Sequence, residues 1–164
     1  MIPELHRPIA IDRIGPAGLD VTVEAGAAEC AAIAQRMNLP AVLALTCRFH
    51  LERDPSGSLL AFGKLEARVV QTCVVSLEDF TVTIEERFAV QCVPEGDESD
   101  DADPEALDEI VYADGMLDLG EAAAEQLALA LDPYPRAPGA ELPEISDDPE
   151  AQPFASLEAL RRRN

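Results

Sequence analysis

Three long stretches of the chain alternate apolar and polar side chains with a period of two. In the first, Leu43, Leu45, Cys47, Phe49 and Leu51 alternate with Ala44, Thr46, Arg48 and His50. In the second, Leu65, Ala67, Val69 and Cys73 share a parity that Gln71 interrupts. In the third, Phe80, Val82, Ile84, Phe88, Val90 and Cys92 share the even parity, with Glu86 the exception. A period of two sustained over this length predicts half-buried antiparallel strands. "DPSGS" between the first two reads as a turn, with Pro55 fixing φ and Gly57 open to a positive one.

The flanking segments have other rhythms. "RPIAIDRI" and "GLDVTVEA" read as two short strands joined by the breaker "GPAG". In "AGAAECAAIAQRMNLP", Ala27, Cys30, Ala31, Ala34 and Met37 recur at helical spacing, and Asn38 with Pro40 stops the helix. A second helix is expected in "LDLGEAAAEQLALALDP". There Asp118 is a candidate N-cap with Glu121 three residues on, Ala123, Leu127 and Leu131 share a side, and Pro133 ends the run. The run 95–109 carries nine acidic residues and no basic one, so self-repulsion predicts a flexible loop. Residues 133–153 hold six prolines, and "FASLEALRRR" closes the chain as a short helix offering Phe154, Leu157 and Leu160, with its arginines at the favourable C-terminal end. The expected fold class is α+β: an antiparallel sheet of about five strands, two flanking helices, an acidic loop and a short C-terminal helix. One domain over residues 1–135 would carry a tail rich in proline and acid over 136–164.

Composition changes this picture in two ways. With 164 residues and 48% apolar content the chain can bury a real core, but five Phe, two Tyr and no Trp leave that core to Val, Leu, Ile and Ala. The formal charge is −20, unevenly spread: 12 acidic and 8 basic residues in 1–94, 20 and 4 in 95–164. A surface like the second part repels phosphate backbones and attracts basic partners, or serves solubility alone. The start "MIPELHRPIAID" has neither the charged head nor the apolar run of a secretory signal, and no apolar run nears membrane-spanning length. A cytoplasmic location is expected, where the four cysteines stay reduced.

Candidate chemistry is thin. Cys30, Cys47, Cys73 and Cys92 have no paired spacing, each falls in phase with an apolar face, and His6 and His50 lie far apart. Small buried hydrophobes fit that pattern better than zinc ligands. No metal and no cofactor is expected. Neither histidine neighbours a nucleophile, the carboxylates show no pairing, and no phosphate-cradling glycine motif occurs, so no catalytic residue is assigned. Arg48, Arg53, Lys64 and Arg68 have the spacing to gather across neighbouring strands, although ordinary charged outer faces would look the same. Arg161, Arg162 and Arg163 form a basic tip, and Gln71, a polar amide on an apolar face, needs a hydrogen-bonding partner. Arg68, Gln71, Arg161, Arg162 and Arg163 are therefore the candidate partner-binding residues.

The order of "LPAVLALTCRFHL", "FGKLEARVVQTCVVSLEDFTVTIEERFAVQCVP", "LDLGEAAAEQLALALDPYP" and "PFASLEALRRR" resembles the YceD family, the large-subunit (23S) rRNA accumulation proteins of bacteria and plastids. The resemblance is most specific in "GKLEARVVQTC" (63–73), "EQLALALDPYP" (125–135) and "PFASL" (153–157). It implies a non-enzymatic ribosome-biogenesis factor that promotes 23S rRNA accumulation by binding. The implied partner is a large-subunit precursor or a basic ribosomal protein such as L32, with RNA contact secondary. A Mg-dependent RNA-processing enzyme and an acidic escort of a basic ribosomal protein are the alternatives. Many relatives carry Cys-x-x-Cys where this chain has Cys73 and Ser76, and a second cysteine pair nearer the C-terminus that is missing here. The resemblance thus implies a branch without the family's metal ligands.

Overall fold

The computed structural model describes residues 3–99 and 103–142. Its elements are β1 (Pro8–Ala10), β2 (Leu19–Glu24), α1 (Ala27–Arg36), β3 (Ala41–Arg53), β4 (Leu59–Thr72), β5 (Asp79–Pro94), β6 (Asp108–Tyr112), β7 (Met116–Asp118) and α2 (Leu119–Ala130), with a turn of 3-10 helix at Ile11–Arg13. The α+β class holds. Strands β2 to β6 form one sheet in sequence order, while β1 and β7 form a separate two-stranded ribbon. β2 through β5 pair antiparallel, but β6 runs parallel to β5, so the sheet is mixed rather than wholly antiparallel. β6 starts beside Val90 and ends beside Pro94, in the same direction as β5, a pairing that a tight hairpin cannot make. The acidic run therefore ends in structure: Asp108 and Glu109 belong to β6. "RPIAIDRI" supplies only three strand residues, and they pair with β7, not β2.

The sheet's inner face and the two helices share one apolar core. Leu45, Cys47, Phe49 and Leu51 of β3, Leu59, Ala61, Leu65, Ala67 and Val69 of β4, and Ile84, Val90 and Cys92 of β5 are buried in it. Ile33 and Ala34 of α1 and Leu119, Ala122, Ala123 and Leu127 of α2 close it. One strand breaks its expected parity. The register shifts between Val42 and Ala44, so Val42 is buried and Leu43 is 47% exposed. A bulge adds one residue to one strand and reverses which parity faces inward.

Local signals set the ends of the helices. Glu29 Oε2 accepts a hydrogen bond from Gly26 N at 2.8 Å at the start of α1. Asn38, at φ 53°, turns the chain out of it. Asp118 caps α2 as expected, accepting from Gly120 N at 3.0 Å and Glu121 N at 3.3 Å. The Glu121 side chain does not return to that cap; it pairs with Arg36. At Gly120 the N-terminal segment crosses so closely that a Cβ would sit 2.4 Å from Leu5 O, which is why the residue is glycine.

Candidate functional site

The side chains pointing away from the helices, even-numbered on β3 from Ala44 onward and along β4, and odd-numbered on β5 from Asp79 to Gln91, are exposed or half-buried. Strand register decides which of them are neighbours. Thr22, Arg48, Lys64 and Arg87 lie opposite one another on β2, β3, β4 and β5. Three cations thus stand in one row across adjacent strands, spanning about 10 Å at ordinary strand spacing. The row on one side holds Asp20, His50, Phe62 and Ala89, and the row on the other holds Glu24, Thr46, Glu66 and Glu85. Arg68 stands one row further, between Ala44 and Thr83. Arg53 pairs with Leu59 at the end of the β3–β4 hairpin, apart from this group.

Partners divide the cations. Glu66 accepts from Arg48 Nη1 at 3.0 Å and from Lys64 Nζ at 2.5 Å, and the Lys64 bond followed by the Arg48 bond holds its carboxyl below the usual range. Among the described residues no ion pair engages Arg68 or Arg87. His50 Nδ1 meets Asp20 Oδ1 at 2.7 Å, and that bond, aided by Glu52, raises the imidazole pKa above its ordinary value. An open groove of about 340 Å³ follows the cationic row, bounded by Asp20, His50, Phe62 and Lys64 among others and floored in part by the backbone of Gly63. Beneath that floor the Phe88 ring occupies the space a Gly63 side chain would need.

The sequence-level candidates are scattered. Arg68 is exposed on the outward face. Gln71 is buried at 5% exposure and donates from Nε2 to the carbonyl of Asp132 at 3.1 Å. Its amide is spent inside the fold, holding the chain after α2 against β4. Arg161, Arg162 and Arg163 lie outside the described residues. Arg87 went unnoticed in the sequence, although the parity of β5 already pointed it outward.

Cys73 is buried at 0% exposure, as its parity predicts, but it is not a strand residue. β4 ends at Thr72, and the Cys73 sulfur belongs to the following turn rather than to the core cluster. The Ser76 hydroxyl and the N–H groups of Ser76, Ala137 and Val75 donate to it and hold the thiol at about 6. Burial instead pushes Cys47 up to about 12 and Cys92 to about 11, as buried hydrophobes should behave. Val74 N donates to Pro135 O at 2.9 Å, so the segment after α2 closes over this turn. Among the described residues no group of three or more His, Cys, Asp or Glu side chains is placed to hold a metal ion.

A second charged cluster ties the N-terminal segment to the helices. Arg7 forks onto Glu29 at 2.8 and 2.9 Å, Arg36 joins Glu4 and Glu121, and His6 Nδ1 meets Asp118 Oδ2 at 2.5 Å. Burial works against the Asp118 carboxylate, but bonds from Arg7 N, His6 and Glu121 N bring it below its ordinary value. The contacts join elements distant in sequence and read as a structural clamp.

A family model described as large ribosomal RNA subunit accumulation protein YceD matches residues 62–161, most of the chain. The chain belongs to the YceD family. The match opens at Phe62 in the groove and takes in Lys64, Arg68, Gln71, Cys73 and Arg87. No curated protein and no solved structure matches the chain. Membership carries a role in large-subunit ribosomal RNA accumulation, and YceD is named for accumulation rather than for a catalysed reaction. No helix among the described residues is long and apolar enough to cross a membrane.

Proposed function

We propose that this YceD-family chain promotes 23S rRNA accumulation without catalysis, in the cytoplasm, by binding large-subunit assembly components through the open face of its sheet. The observation that carries this reading is the row Arg48, Lys64 and Arg87, aligned on a face that the helices leave uncovered in a chain of net charge −20. Three cations in register, with a fourth, Arg68, nearby, set positive charge along one line between rows that carry acids. Arg68 contacts the partner directly, Arg161, Arg162 and Arg163 add a second basic contact, and Gln71 acts by fixing the chain after α2. The partner is a large-subunit precursor, met through its RNA or through a basic ribosomal protein. Affinity purification of the tagged chain from lysate at low and moderate salt tests this. Precursor 23S rRNA should co-purify and fall away in an Arg48→Gln, Lys64→Gln, Arg87→Gln variant, whereas a basic large-subunit protein should be held at least as well by that variant; capture of neither rejects the reading.

The acidity of residues 95–164 favours a second reading, an escort for a basic ribosomal protein. Because β6 begins at Asp108, its test is removal of residues 97–106 only. Loss of basic-protein binding with intact 23S rRNA capture would favour the escort.

A further inference from the structure

Aromatic rings are scarce in this chain, which makes the position of Phe62 informative. Phe49 is 2% exposed in the core, whereas Phe62 is 40% exposed on the outward face. Its cross-strand neighbours are His50 on one side and Ala89, a small residue, on the other. Lys64 follows two residues along the same strand, and Arg48 and Arg87 stand diagonal to the ring on the adjacent strands. The groove of about 340 Å³ runs over these side chains. An exposed aromatic ring beside a short line of cations is the composition that binds unpaired nucleotides, where every base offers a π-face and every linkage a phosphate. A duplex offers no unstacked base to a flat sheet.

We propose that this groove binds single-stranded RNA, with one base stacked on Phe62 and neighbouring phosphates over Arg87, Lys64 and Arg48; the assignment rests on the reading that the open face is the contact surface. Arg87 provides the anchor, since no acid neutralises it among the described residues. Glu66 competes with the phosphates for Arg48 and Lys64. Asp20, Glu24 and Glu85 stand in the rows on either side and confine a polyanion between them. The sign of each charge effect therefore identifies the ligand class. For RNA, removing Glu66 tightens binding and removing Arg87 weakens it; for a basic protein both effects reverse.

Fluorescence anisotropy with the full chain and a labelled single-stranded RNA of about 16 nucleotides, against the same RNA as a duplex, tests the assignment. The single strand should bind more tightly, and Phe62→Ala should weaken it by about ten-fold while Phe62→Tyr retains it. The salt dependence should have a log–log slope of about −2, from about −0.7 for each of three phosphates, and Arg87→Gln should reduce its magnitude by about 0.7. Glu66→Gln should tighten binding several-fold. Absence of single-strand binding at low salt, wild-type affinity in Phe62→Ala and Arg87→Gln, or weaker binding in Glu66→Gln would overturn it. If RNA fails to bind but a large-subunit protein is captured from nuclease-treated lysate, and Glu66→Gln weakens that capture, this inference falls while the contact surface stands. If neither RNA nor any assembly component binds, both fall.

Discussion

Replacing Gly63 by alanine tests how the sheet is packed beneath the groove. A Cβ there would lie 2.0 Å from Phe88 Cζ and 2.5 Å from Cε1 and Cε2. Carbon atoms rest at about 3.5 Å or more, so the ring must retreat by about 1.5 Å. Phe88 is not free to do so at no cost, because it packs edge-on against the buried Phe49 with centroids 5.8 Å apart and planes at 74°. Overpacking of this kind costs about 1–3 kcal/mol, and the gain from replacing glycine by alanine in a regular strand returns only about 0.5–1 kcal/mol. Gly63→Ala should therefore destabilise the chain by about 1–2 kcal/mol, lowering the urea midpoint by about 0.5–1 M at an unchanged slope. In a Phe88→Ala background the clash is gone, and the same change should become stabilising by about 0.5–1 kcal/mol. Urea unfolding followed by circular dichroism on the four proteins of this cycle measures both values. An equal effect of Gly63→Ala in the two backgrounds would refute the account of why glycine opens the motif "GKLEARVVQTC".

Asp118→Ala should cost about 1–2 kcal/mol in thermal or urea unfolding, because the cap of α2 and the contacts to Arg7 N and His6 go together; Asp118→Asn, still a capping residue, should cost less, and an equal loss would show that the cap is not what matters. Gln71→Leu should destabilise by about 0.5–1.5 kcal/mol through the lost bond to the Asp132 carbonyl and speed proteolysis after α2, whereas an unchanged digestion pattern would contradict its role as a strut. Cys73, at about 6 in the folded chain against 9.0 for an ordinary thiol, loses its proton more readily folded than unfolded, so its contribution to stability should grow from pH 6 to pH 9 and vanish below. Ser76→Ala should flatten that rise and move the ultraviolet thiolate titration upward; identical pH profiles would sink the hydrogen-bond explanation.

Much of the fold was legible because parity is a strong signal in long strands. β3, β4 and β5 followed from alternation alone, and Asp118 announced α2. The bulge at Val42 and Ala44 was not legible, since Leu43 continues the apolar parity in sequence while the backbone turns it outward. β6 is short and half hidden in an acidic run, so neither it nor its parallel pairing could be read. The turn between β6 and β7 did carry a signal: Asp114 and Gly115 adopt φ of 52° and 70°, the conformation for which Asp-Gly is the usual choice. For the site, parity placed Arg48, Lys64, Arg68 and Arg87 outward, but only register could set three of them in one row. Parity buried Cys73 correctly but could not show the donors around its sulfur, because the strand ends one residue before it.

Photocrosslinking in cells tests the central claim most directly. A photoreactive residue at position 62, on the open face, is compared with one at position 77, in the turn after β4, where Leu77 is 77% exposed. Position 62 should yield adducts with precursor 23S rRNA or large-subunit proteins, and position 77 should yield none. Adducts from position 77 alone, or none from position 62, would contradict binding through the open face.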